Sequence, residues 1–247
     1  MEQFRRGDLV FDVIDSGPAD GPAVVLLHGF PESNAMYQPV IERLTAQGYR
    51  CLAPLQRGYS PGARPKRRRD YRDSELVGDI VTLIDSVGAQ RVHLVGHDWG
   101  AAAAWYVAQR FPERVHTLSA LSVPHPAAFL KAVATSRQAA FSWYMLFFQL
   151  PWLPERLLLS RRAKSEFIAS RSAPELAEAE VAAFAQPGML KSALNWYRGI
   201  PFSSPRETAK VVTVPTLYVW SDNDVALKGK CARLRRLRRR RLPLRGS

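Results

Sequence analysis

Gly96-His97-Asp98-Trp99-Gly100 is the stretch whose reading decides the fold. Before it, Arg91-Val92-His93-Leu94-Val95 is apolar and rich in β-branched residues, the mark of a buried strand. After it, Ala101-Ala102-Ala103-Ala104-Trp105-Tyr106-Val107-Ala108 is a strong helix former. Strand, glycine-bracketed turn and helix together form a nucleophile elbow, with Asp98 where a serine stands in the G-x-S-x-G version. Gly96 and Gly100 let strand and helix approach closely, which holds residue 98 on a tight bend above the sheet. An ionised Asp is an acceptor only and attacks carbon without a base to deprotonate it. The competing reading is an Asp that merely caps the helix.

Working outward, the chain before the elbow alternates strand and helix. Leu9–Ile14 alternates as a half-buried strand, and Ala23-Val24-Val25-Leu26-Leu27 fits a central parallel strand. A helix is predicted from Met36 to Ala46, stopping near Gly48, and a strand over Tyr49–Ala53. Ser74–Val87 is predicted as a helix with Ser74 as its N-cap, its apolar face carrying Leu76, Val77, Ile80, Leu83, Ile84 and Val87. A strand over Val115–Val123 follows. This alternation predicts an α/β fold with a mostly parallel, doubly wound sheet. At Pro124-His125-Pro126 the pattern changes. The predicted division is a core over 1–124, an inserted helical lid over 125–207, a returning strand (Val211–Trp220) and acid loop over 208–227, and an Arg-rich tail over 228–247.

The totals agree with one α/β domain plus an insertion: 247 residues, 47% hydrophobic and 23% charged. Of the 35 basic residues, ten lie in 228–247, where there is no acid, so the net charge of +13 falls to +3 for residues 1–227. The basicity belongs to the tail, and the Lys66-Arg67-Arg68-Arg69 run reads as a solvated loop face. Cys51 and Cys231 form no C-x-x-C pattern, so neither a metal nor another cofactor is expected and a cytoplasmic setting is the default. The N-terminus has no apolar signal region. The longest apolar stretch, Phe141–Leu153, is interrupted by Gln149 and Pro151 and is too short for a membrane span.

A second motif, His28-Gly29-Phe30-Pro31, leaves the central strand. A loop there aims the Phe30 N–H at the elbow, where with the Trp99 N–H it forms an oxyanion hole. Gly29 permits the bend and Pro31 stiffens it. With His28-Gly29-Phe30-Pro31-Glu32-Ser33 and Gly96-His97-Asp98-Trp99-Gly100 both present, the chain resembles the α/β-hydrolase superfamily, and within it the epoxide hydrolases, over about residues 8–227. Tyr144-Met145-Leu146-Phe147-Phe148-Gln149 and Leu194-Asn195-Trp196-Tyr197-Arg198 look like the family's two tyrosine-bearing lid segments.

The resemblance implies that Asp98 opens an apolar epoxide while Tyr144 and Tyr197 stabilise its oxygen. Water then cleaves the ester with Phe30 and Trp99 holding the oxyanion. It also implies Asp224, with Asp222 as its rival, as the acid that orients a base histidine.

The chain departs from the family at that base. None of His28, His93, His97, His116 and His125 follows Asp224, and the 23 residues after it are fewer than the roughly 25–30 that a helix, a strand and their loops need. The final helix, strand and histidine loop are therefore expected to be missing, replaced by a tail that reads like a shifted frame of GC-rich coding sequence, and hydrolysis is expected to be impaired. Two alternatives stand. One is a dehalogenase-like hydrolase, since the first two motifs fit both. The other is a non-catalytic protein whose tail binds nucleic acid or anionic lipid.

Overall fold

The structure is a computed structural model, and it describes residues 1–169, 174–204 and 210–221. A seven-stranded sheet runs in the order β1-β2-β4-β3-β5-β6-β7. Its strands are β1 (Gln3–Arg6), β2 (Leu9–Ser16), β3 (Ala23–Leu27), β4 (Arg50–Pro54), β5 (Val92–His97), β6 (Val115–Leu121) and β7 (Thr216–Val219). β1 and β2 pair antiparallel, as do β2 and β4, and every pairing from β4 to β7 is parallel. The sheet is thus the mostly parallel α/β arrangement expected. β3 sits at its centre, with Val25, Leu26 and Leu27 fully buried, because helices cover both faces.

Those helices are α1 (Gln38–Thr45), α2 (Asp73–Ser86) and α3 (Trp99–Arg110). α3 lies closest to the sheet. Its Ala101, Ala103 and Ala104 are fully buried, and the small side chains let the helix axis approach β3 and β5. A Cβ on Gly100 would run into the Leu27 carbonyl, so glycine is required for this close approach.

Several boundaries differ from the pattern. The predicted Met36–Ala46 helix is a 3-10 turn over Asn34–Tyr37 followed by α1, which has Pro39 in its first turn. α2 begins at Asp73 with Arg72 at its N-cap, so Ser74 is not the cap. The start is set by tertiary contacts instead: the Asp73 N–H donates to Ser203 Oγ at 3.0 Å, and the Asp73 carboxylate pairs with Arg110. β5 runs on to His97, two residues beyond the predicted strand. β7 occupies only four residues of Val211–Trp220, because Pro215 has no N–H to give a ladder and offers only its carbonyl, to Leu118 N–H at 2.9 Å.

Between β6 and β7 the described chain is helical: α4 (Pro126–Thr135), α5 (Gln138–Phe141), α6 (Trp143–Phe147), α7 (Leu153–Leu158), α8 (Arg161–Ala169), α9 (Pro174–Phe184) and α10 (Met189–Gly199). α10 is buried along its length and is anchored to the body by the Trp196 indole, which donates to the Arg57 carbonyl at 2.7 Å. Arg57 is itself held by Asp79 at 2.6 Å. Among the described residues no helix is long and apolar enough to cross a membrane.

Candidate active site

Asp98 stands between β5 and α3 with φ 50° and ψ −120°, a conformation that non-glycine residues rarely adopt and that the sharp turn imposes. Its side chain makes no capping bond to α3. The capping alternative therefore fails, and the carboxylate is aimed elsewhere. Oδ1 accepts the Phe30 N–H at 2.8 Å, and the neighbouring Trp99 amide favours the charged carboxylate. Of the two backbone N–H groups singled out in the His28–Pro31 and elbow motifs, that of Phe30 is the one hydrogen-bonded to this side chain.

Gly29 explains how they come so close. A Cβ there would collide with the Cβ of Asp98 and lie 2.7 Å from its Oδ1. The loop is pinned from below by His28, which is fully buried. The His28 Nδ1 lies 3.0 Å from the Gly29 carbonyl, and its Nε2 accepts the Gln56 N–H at 3.2 Å. This pairing fixes the tautomer with the proton on Nδ1. Burial pushes the imidazole down to about 4, so His28 is a neutral brace. The Phe30–Pro31 peptide is cis.

Burial pushes the Asp98 carboxyl up to about 6, against the opposing effect of the two amide donors, and Glu32 raises it further. Glu32 is 8% exposed, and its Oε2 is 3.7 Å from His97 Nδ1. This carboxylate is the main site residue that pattern reading passed over. Its only signal was its place two residues past Phe30.

Asp98 opens into a cavity of about 430 Å³ whose lining includes Phe30, His97, Trp99, Tyr144, Met145 and Tyr197. Tyr144 and Tyr197 come from helices far apart in sequence, α6 and α10, and their rings meet edge to face with centroids 5.9 Å apart. Tyr197 also packs against Trp99 at 5.0 Å and Phe30 at 5.8 Å. Burial, then the nearby Asp98 charge, hold its phenol well above the ordinary tyrosine range, so it keeps its proton and is a donor.

Arg198 holds these two helices in register. It is 2% exposed, and it donates to the carbonyls of Phe148 at 2.8 Å and Leu150 at 2.7 Å and to Glu155 at 2.6 Å. Gln149 adds a bond to the Tyr197 carbonyl at 2.8 Å. Another contact that pattern reading missed ties the helices to the Phe30 loop: the buried Glu180 of α9 accepts the Ser33 N–H at 3.2 Å.

A family model described as the alpha/beta hydrolase fold matches residues 22–229. This chain belongs to the α/β-hydrolase family. Among its curated relatives, the hydrolase is 36% identical to AB hydrolase superfamily protein YfhM of Bacillus subtilis (strain 168), over 91% of this chain and 82% of that one. It is 33% identical to Epoxide hydrolase 4 of Homo sapiens, over 95% of this chain and 68% of the human one. Among solved structures, an epoxide hydrolase from metagenomes of hot environments is 31% identical with TM-score 0.78, covering 91% of this chain and 82% of its own. Epoxide hydrolase VrEH1 from Vigna radiata is 28% identical with TM-score 0.76, covering 91% and 80%. The hydrolase is thus an epoxide-hydrolase-like member of its family.

Of the residues singled out in the sequence, Asp98, Phe30, Trp99, Tyr144 and Tyr197 gather at one cavity, with His97 beside them. His28 and Gly29 support the loop, and Gly96 and Gly100 shape the bend. Asp224, Asp222 and the 228–247 tail lie outside the described residues. Among the described residues no cluster of His, Cys, Asp and Glu is arranged to hold a metal ion.

Proposed function

We propose that this hydrolase opens an apolar epoxide through a covalent ester on Asp98, with helices α4–α10 serving as the lid over the core. The observation that carries this reading is Asp98, held by the Phe30 amide, sharing one cavity with two tyrosines. With Oδ1 held by the Phe30 N–H, Oδ2 attacks a ring carbon. A carbon–oxygen bond forms as the strained ring carbon–oxygen bond breaks. The ring oxygen gains charge, and Tyr144 and Tyr197 meet it, one of them giving up its proton. The product is a hydroxyalkyl ester whose carbonyl oxygen already accepts the Phe30 N–H, with the Trp99 amide as the second donor of the oxyanion hole. Water adding to that carbonyl releases the diol, restores the carboxylate and returns a proton to the phenol.

The second half requires a base for the water. His28 is neutral and doubly bonded, His93 is tied to Thr117 at 2.8 Å and stacked on His116, and His125 caps α4 through Ala127 N–H. His97 faces Glu32. With His28, His93 and His125 bonded elsewhere, the reading has ester formation outpacing hydrolysis, and the ester accumulates. Intact-mass measurement after mixing with a simple aryl epoxide tests this. One added epoxide mass per chain is expected, mapping to Asp98 and absent from Asp98→Ala. An unmodified parent, or an equal adduct on Asp98→Ala, contradicts the reading, and halide release from an alkyl halide without such an adduct would favour dehalogenation instead.

A further inference from the structure

The apolar run Phe141–Leu153, too short for a span, is turned partly outward by the fold. Trp143 is 62% exposed, Leu146 76% and Trp152 67%, with Leu150 and Leu157 also exposed. Trp143 and Leu146 follow the i, i+3 spacing that aligns side chains along one face of α6, and Leu150 lies three residues past its end. Single exposed apolar residues are ordinary on a protein surface, but two tryptophans and three leucines within fifteen residues call for a partner.

The charge of the flanking sequence indicates the partner's chemistry. Ala127–Phe167 carries six basic residues (Lys131, Arg137, Arg156, Arg161, Arg162, Lys164) and two acids, Glu155 and Glu166. Both acids are engaged within the protein: Glu155 with buried Arg198 at 2.6 Å, and Glu166 with Arg162 at 2.8 Å. Tryptophan and leucine set among Lys and Arg match an interface of acyl chains beneath anionic headgroups, where the indoles sit at the boundary and the cations meet phosphate.

We propose that the outward face of Trp143–Leu157 docks on an anionic lipid surface. α6 then has two working sides. Tyr144 and Met145 line the cavity, while Trp143 and Leu146 of the same short helix meet the membrane. Leu130 both lines the cavity and is about half exposed, which places an apolar edge of the cavity at the protein surface. An apolar solute dissolved in the bilayer would enter from there without crossing water.

The test uses the full chain with vesicles of phosphatidylcholine alone or mixed with phosphatidylglycerol, some carrying brominated acyl chains. The expected result is binding to the mixed vesicles with tryptophan quenching by the bromines. Trp143→Phe/Trp152→Phe retains binding and loses the quenching. Leu146→Glu weakens partitioning by about tenfold, and Trp152→Ser serves as a second variant should the first fail to fold. High salt screens the Arg-rich tail and the cations beside the face alike and leaves insertion of the apolar side chains, which the quenching reads. Sedimentation with vesicles but no quenching, together with parental partitioning of Leu146→Glu, assigns binding to the tail and overturns the proposal. Concentration-dependent self-association abolished by Leu146→Glu, with no effect on vesicles, also overturns it and assigns the face to a second copy.

Discussion

The floor of the cavity and its roof are built on different terms. The floor is strand-end backbone: Asp98 on its strained bend, the Phe30 and Trp99 amides, and a buried histidine brace. A tight local turn shapes each part, the parts meet across 68 residues of sequence at the Phe30–Asp98 bond, and glycines at 29, 96 and 100 allow the close approach. The roof consists of short helices joined by Pro and Gly breaks, and its outer side chains are exposed where the floor's are buried. It is held by a few long-range polar contacts, with Arg198 at their centre. The floor is therefore rigid because it stands on buried strand ends, whereas the roof is ordered only while its few polar ties hold.

The largest effect that would break this contrast is on the floor. Gly29→Ala pushes a Cβ into Asp98 and moves the Phe30 amide, and the rate of Asp98 alkylation should fall by about 10²-fold, because misplacement of about an ångström is enough. A near-parental rate would mean that the loop yields and the floor is not rigid.

Next comes Arg198→Ala, which leaves Glu155 unpaired and two carbonyls without donors. It should cost about 3 kcal/mol in denaturant unfolding. Hydrogen exchange sharpens the comparison: amides of α6, α7 and α10 should exchange faster while those of β3 and β5 keep their protection. Uniform acceleration would show that roof and floor open as one unit.

The smallest effect is electrostatic. The Asp98 carboxyl lies at about 6 in the fold against an ordinary 3.8. Its stabilising contribution is full below the ordinary value and is lost as pH rises through about 6. Asp98→Asn removes the buried charge, so it should be more stable than the parent by about 2 kcal/mol at pH 8, and the gap should close near pH 4. A gap independent of pH would mean that Asp98 does not titrate as described.

The same division decides what could be read in the residues. The floor was legible because its signals are local: apolar strands ending in glycine-flanked turns, then a run of alanines. Where local rules failed in the body, a tertiary contact had displaced them, as when the Asp73–Arg110 pair moved the start of α2 off Ser74. In the roof, the helical character and the interruption at Pro151 were legible and the other boundaries were not, since a turn such as Trp152 at φ 50° carries no glycine to announce it. The contacts of Arg198 span 43 to 50 residues of sequence, a separation that periodicity does not register. Tyr144 and Tyr197 stood out through family resemblance alone, because each taken singly is an ordinary core aromatic. Glu32 and Glu180 went unread for a related reason: a carboxylate in a loop or on a helix gives no sign of burial until its partners are placed.

The most direct test of the central claim is the rate at which an epoxide alkylates Asp98, followed by mass across pH in the parent and in Tyr144→Phe/Tyr197→Phe. A reactive carboxylate facing two proton donors predicts a rate that is level above pH about 6 and falls about tenfold per unit below it. It also predicts a loss of about 10²-fold or more in the double variant. A rate that is flat with pH and unchanged without the two phenols would contradict it.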